Sequence, residues 1–140
     1  MCVAELEPKD FLENTVLVNL TDNYDAGDDD FERYEAARGC WKISEEHAKQ
    51  CDLVMAVHDG KIIEIYRPVA WFDAEMTMRL PKKVKSLSAE ELKKRREFVG
   101  RIVTDSEIRG KYLGQGVKSM FAPPKQNPVR CIIAGKLVSE

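Results

Sequence analysis

The sequence predicts an α+β fold: a small, strongly curved β-sheet or barrel with short flanking helices. Three observations point to it. Apolar, β-branched segments stand near the start, the middle and the end of the chain, as "TVLVNL", "DLVMAVHDGKIIEIYRP" and "VRCIIAGKLV". The segments between them carry helix caps but are short. The central pair of strands is apolar on one face and largely so on the other, which suits a sheet that is partly covered or closed on itself.

In order, "TVLVNL" has the length and composition of a buried strand, and "TDNYDAGDDD" after it is a polar loop whose last Asp can cap a helix. That helix is "FERYEAAR", with acids in its first turn and Gly39 just past its end. Ser44 reads as the N-cap of a second helix, "EEHAKQC". Asp59-Gly60 marks a two-residue hairpin, because a type I′ turn needs positive φ at both central positions. The register then pairs His58 with Lys61, Val57 with Ile62, Ala56 with Ile63, Met55 with Glu64, Val54 with Ile65 and Leu53 with Tyr66. Val54, Ala56, Ile63 and Ile65 should share one face, and Glu64 and Tyr66 should lie on the other. "VAWF" either continues this sheet or turns its corner. "SAEE" from Ser88 is a capping box, and "ELKKRRE" is expected as a short exposed helix. "FVGRIV" reads as a strand, "VKSMF" as one helical turn, and "VRCIIAGKLV" as a closing strand.

The 140 residues are expected to form a single domain with a core of its own. Apolar residues at 44% and charged ones at 33% describe a globular rather than a disordered chain. No apolar run is longer than "LVMAV", far below the ~20 residues of a membrane helix. No basic-then-apolar leader opens the chain, so the cytoplasm is the expected compartment, without membrane contact. Cys2, Cys40, Cys51 and Cys131 contain no C-x-x-C pair and are expected as free, mostly buried thiols. Cys40, His47, Cys51 and His58 alternate like metal ligands, but a predicted strand carries His58 away from the others, so no metal is expected.

No phosphate loop, dinucleotide fingerprint or H-E-x-x-H is present, and no cofactor or catalytic residue is assigned. A binding role is therefore favoured over an enzymatic one. A hydrolase would need Glu64, Tyr66 and His58 in one cleft, and the register above puts His58 on the opposite face from Glu64. Charge is divided: the first sixty residues carry −10 and the remainder +8. The two halves could neutralise each other, or the basic one could face a polyanion. Lys82, Lys83, Lys94, Arg95 and Arg96 belong to a basic stretch, residues 79–96, that could hold phosphates or be a solvated surface. Trp41 and Trp71 lie at the ends of predicted elements. Each could plug the core or stack on a base, and Trp41, between Arg38 and Lys42, is the one expected to be partly exposed for contact. Gln126 and Asn127, on a proline-stiffened loop before Arg130, offer amides that could read base edges or simply make a turn.

The order "ARGCWKIS…LVMAVHDGKIIEIY…W…RREFVG…KYLG…F…QNPVRC" resembles a small uncharacterised bacterial domain family, found alone or attached to nucleases. More distantly the pattern from Val54 to Tyr66 looks like the PUA-like barrels, which include the ASCH, EVE and YTH domains. That likeness implies a curved barrel whose cleft binds RNA or a modified DNA base through aromatic residues, here Trp41 and Trp71. The chain departs from the closer family in having Arg96, where an aromatic residue usually stands, before "EFVG". The resulting expectation is a non-enzymatic nucleic-acid-binding module, with RNA or DNA as partner. The alternative is a protein-interaction or accessory subunit that binds no nucleic acid, and salt dependence of binding separates the two.

Overall fold

A computed structural model describes residues 5–20, 27, 29–78, 88–121 and 128–138. Its described strands are β1 (Thr15–Asn19), β2 (Trp41–Lys42), β3 (Leu53–His58), β4 (Lys61–Asp73), β5 (Arg95–Ile102), β6 (Val129–Ile133) and β7 (Lys136–Val138). Its described helices are α1 (Asp30–Ala37), α2 (Glu45–Gln50), α3 (Ala89–Leu92) and α4 (Ser106–Tyr112), with single 3-10 turns at Pro8–Asp10 and Lys118–Phe121. All seven strands form one sheet in the order β2-β5-β4-β3-β1-β6-β7, curled strongly into a half-barrel. β1 and β3 run parallel, and every other pair is antiparallel. None of the described helices is long and apolar enough to cross a membrane.

The helices begin where local chemistry starts them. Asp29 accepts the Glu32 N–H at 2.8 Å while Glu32 accepts the Asp29 N–H, a reciprocal cap. Ser44 and Ser88 cap α2 and α3 by accepting from His47 and Glu91. α1 and α2 pack on one face of the sheet, over Val16, Val18, Val54, Ala56, Tyr66 and Phe98. α4 and the N-terminal segment cover the other, over Leu17, Leu53, Met55, Val57, Ile62 and Ile65. With both faces buried, β1 and β3 are continuous apolar runs rather than alternating ones. Buried Cys51 and Cys131 are part of the first layer.

Four expectations change. The hairpin turn forms as expected, with φ of 52° at Asp59 and 74° at Gly60, and His58 pairs Lys61 and Val57 pairs Ile62. A bulge then inserts Ile63, so Ala56 meets Glu64, Met55 meets Ile65 and Val54 meets Tyr66. The extra residue moves Glu64 and Tyr66 onto the face of Val54, Ala56 and His58 and sends Ile65 to the other. The helix expected over "ELKKRRE" ends after Leu92, because Arg95 and Arg96 already pair with β2 and β4. "VRCIIAGKLV" is two strands, joined at Ala134 and Gly135 with positive φ. "SEIRGKY", where no element is expected, is helix α4, capped by Asp105.

"VAWF" continues β4 to Asp73, after a second bulge between Pro68 and Ala70. Gly100 makes that bulge possible: a Cβ there would lie 2.4 Å from the Arg67 carbonyl oxygen.

Candidate functional site

The expected contact residues divide into three groups. Lys82, Lys83, Gln126 and Asn127 lie outside the described residues. Arg38, Trp41, Arg95 and Arg130 are engaged within the fold, while Trp71, Arg96, Lys42 and Lys94 reach the surface.

Trp41 is a core residue, which corrects the expectation of an exposed ring. It is 3% exposed, and its indole N–H donates to the Ala37 carbonyl at 2.6 Å. β2 pairs Trp41 with Arg96 on the helix-covered face of the sheet, so the ring is sealed under α1. Arg38 is equally committed. Its Nε donates to Glu35 at 2.8 Å, one Nη donates to the Thr77 hydroxyl at 2.8 Å and the other donates to the Met78 carbonyl. Arg95 donates to the Cys40 carbonyl at 3.1 Å. Arg130 donates to the Met120 carbonyl at 2.9 Å and lies over the Phe121 ring. These side chains make their contacts within the fold.

Glu97 is the residue that sequence reasoning misses. In the sequence it is only a charge diluting a basic stretch, yet it is 0% exposed. One oxygen accepts the Glu75 N–H at 2.7 Å and the other the Thr77 N–H at 3.0 Å and the Thr77 hydroxyl. Together with Arg38, 3.7 Å away, it ties residues 74–78 to the sheet. The available signal is its position inside the strand "REFVG", where alternation puts it on the face opposite Arg96 and Phe98.

That tied segment closes one end of a groove of about 610 Å³ between α2 and the far half of β4. Glu45, Ala48, Lys49 and Cys51 form the helix side, consecutive residues 68–73 the strand side, and Met76 and Arg96 the end. Alternate residues would line a groove over a sheet face; consecutive ones line it where the strand presents its edge. The cause is a mismatch of lengths: β3 pairs β4 only as far as Tyr66, and β4 continues beside β5 alone to Asp73.

The ladder gives the direction of the free groups. On the outer side of β5, Phe98 N–H donates to the Arg38 carbonyl and Gly100 N–H to the Tyr34 hydroxyl, so Glu97 and Val99 address β4. Their partners Phe72 and Ala70 point back at β5, as does Ala74, whose N–H donates to the Arg95 carbonyl. By alternation, the N–H groups of Trp71 and Asp73 point into the groove. The Trp71 ring leans on Phe98 at 5.2 Å, and among the described residues neither its buried Nε1–H nor the buried Nε–H of Arg96 has a hydrogen-bond partner.

Charge in the groove is balanced by two pairs, Lys49–Glu45 at 2.7 Å and Arg96–Asp73 at 2.6 Å. The hydrogen bond from Lys49, then the charges of Lys49 and Arg96, hold the Glu45 carboxyl below its ordinary range. Val69 and Met76 stand 77% and 72% exposed at the rim, with Phe72 beside them.

Elsewhere, the bulge places Glu64, Tyr66 and His58 on one face, contrary to the register expected. Glu64 is already bound by Arg109 at 2.7 Å and Arg33 at 3.6 Å, so its carboxylate is not an uncommitted base. Burial, then the charge of Glu64, pushes the Tyr66 hydroxyl well above its ordinary range. Among the described residues no three His, Cys, Asp or Glu side chains are grouped to hold a metal ion. The chain matches no family model, no curated protein and no solved structure.

Proposed function

We propose that this chain is a protein-interaction module that docks a partner in the groove between α2 and β4. The observation that carries the reading is an unpaired strand edge lining a groove whose rim holds exposed Val69, Phe72 and Met76. Apolar groups gathered around a concavity favour docking, and paired charges in the groove favour a partner without high net charge. Selection of random linear peptides on the folded chain tests it. Enriched peptides should lose at least about tenfold in affinity with Val69→Asp or Met76→Asp, whose exposed side chains leave the melting temperature unchanged. A selection in which no peptide depends on these positions overturns it.

The second reading is a nucleic-acid-binding module in the cleft of a PUA-like half-barrel, with an RNA or DNA base against Trp71. Its support is the half-buried Trp71 ring beside Arg96, with exposed Lys93 and Lys94 just before it in the chain. Stacking on such a ring is worth ~1–3 kcal/mol per base. Tryptophan fluorescence during titration with single- and double-stranded RNA and DNA, at low and physiological salt, decides between the readings. Salt-sensitive quenching that vanishes in Trp71→Phe favours the nucleic acid; unchanged emission with every strand favours the protein partner.

A further inference from the structure

The mode of docking is legible in the main chain. Among the described strands the far half of β4 pairs with β5 alone, and its other side opens into the groove. The N–H and C=O of Trp71 and the N–H of Asp73 face that opening. Among the described residues no hydrogen bond satisfies them, while the Asp73 carbonyl is taken by the Met76 N–H at 3.2 Å. Among the described residues two buried side-chain N–H donors of the same lining residues, Trp71 Nε1 and Arg96 Nε, also have no partner. Strand edges left open invite pairing with another chain. By contrast, the outer side of β5 is closed from within by the Arg38 carbonyl and the Tyr34 hydroxyl. Pro68, which has no N–H, sets the near limit of the pairing stretch.

We infer that the groove captures an extended peptide segment of a partner protein by strand addition to the free edge of β4. The inference rests on the protein-docking reading above and names its mode and ligand class. The peptide's main chain bonds to Trp71 and Asp73. Its side chains alternate between the α2 wall, where the paired Glu45 and Lys49 stand beside buried Ala48, and the exposed side of Phe72, so the second set is apolar. At the Asp73 end Arg96 pairs with Asp73 at 2.6 Å, and its charge also acts on Glu45. Balanced charge along the groove favours one short strand without high net charge over a polyanion.

Amide exchange and a backbone scan test the mode separately from the docking itself. In the free chain the amides of Trp71 and Asp73 exchange rapidly while those of Ala70 and Phe72, bonded to β5, are protected. A peptide selected as above should slow Trp71 and Asp73 selectively. N-methylating that peptide one residue at a time should weaken binding about tenfold at alternate positions and little between them, as loss of paired main-chain bonds requires. Protection of Trp71 and Asp73 in the free chain, or a scan without alternation, overturns strand addition. If that happens while Val69→Asp and Met76→Asp still abolish binding, docking stands and only its mode fails. If no selected peptide depends on the groove at all, both fail.

Discussion

Replacing Glu97 by alanine removes the buried carboxylate that holds residues 74–78 against the sheet, and its cost follows from the bonds that carboxylate makes. The two oxygens accept from the Glu75 and Thr77 N–H groups and the Thr77 hydroxyl, and lie 3.7 Å from Arg38. Truncating one partner of a buried charge pair costs about 3–5 kcal/mol when the other charge is left alone. Arg38 is not left alone, because Glu35 remains at 2.8 Å. The released segment also reaches water easily, since Glu75, Met76 and Met78 are already exposed. The loss therefore falls at the lower end, about 3 kcal/mol. At roughly 3–4 °C per kcal/mol for a chain of this length, melting should drop by about 10 °C. Urea unfolding followed by tryptophan emission measures the loss. Glu97→Gln, which keeps one acceptor oxygen but no charge, should cost about half as much. Amide exchange at Glu75 and Thr77 should accelerate in both variants. A Glu97→Ala chain within about 0.5 kcal/mol of the parent, with those amides still protected, would refute the account of a carboxylate clamp.

Three further outcomes follow from the geometry. Gly100→Ala forces a Cβ against the Arg67 carbonyl oxygen, 2.4 Å away, and should cost about 2–3 kcal/mol in urea unfolding; a neutral substitution would show that the bulge opens freely. Trp41→Phe loses the bond to the Ala37 carbonyl and should cost about 1–2 kcal/mol without altering any binding, whereas the Trp71→Phe chain, keeping only Trp41, should show blue-shifted emission shielded from iodide. Burial, then the hydrogen bond to Glu13, pushes Tyr112 up to about 12. A hydroxyl that ionises later in the folded chain stabilises fully below pH about 10 and less as pH rises toward 12. Tyr112→Phe should flatten the fall in urea midpoint over that alkaline window, and an identical slope in both chains would remove Tyr112 as its cause.

The features legible in the sequence are those decided within a few residues. Asp29, Ser44 and Ser88 start helices because a side-chain oxygen meets an N–H two or three positions on, and Asp59-Gly60 turns the chain because both residues tolerate positive φ. α4 is hidden in the sequence although Asp105 is a good cap, because Gly110 and the glycines after it resemble a loop. The candidate site is only partly visible there: Trp71 and Arg96 stand out, but their place as the wall and end of a groove does not. Tertiary structure alone decided the rest. One inserted residue, Ile63, reversed the faces of Glu64, Ile65 and Tyr66, since alternation carries a single shift along the remainder of a strand. Trp41 and Trp71 are similar in local sequence character, yet one is sealed beneath α1 and the other borders a groove. The groove exists because β3 pairs β4 only as far as Tyr66 while β4 runs on to Asp73, a difference between two strand lengths that neither strand encodes by itself. Burial and edge exposure are properties of neighbours brought from elsewhere in the chain, so residue type sets what a side chain can do and packing sets which of those things it does.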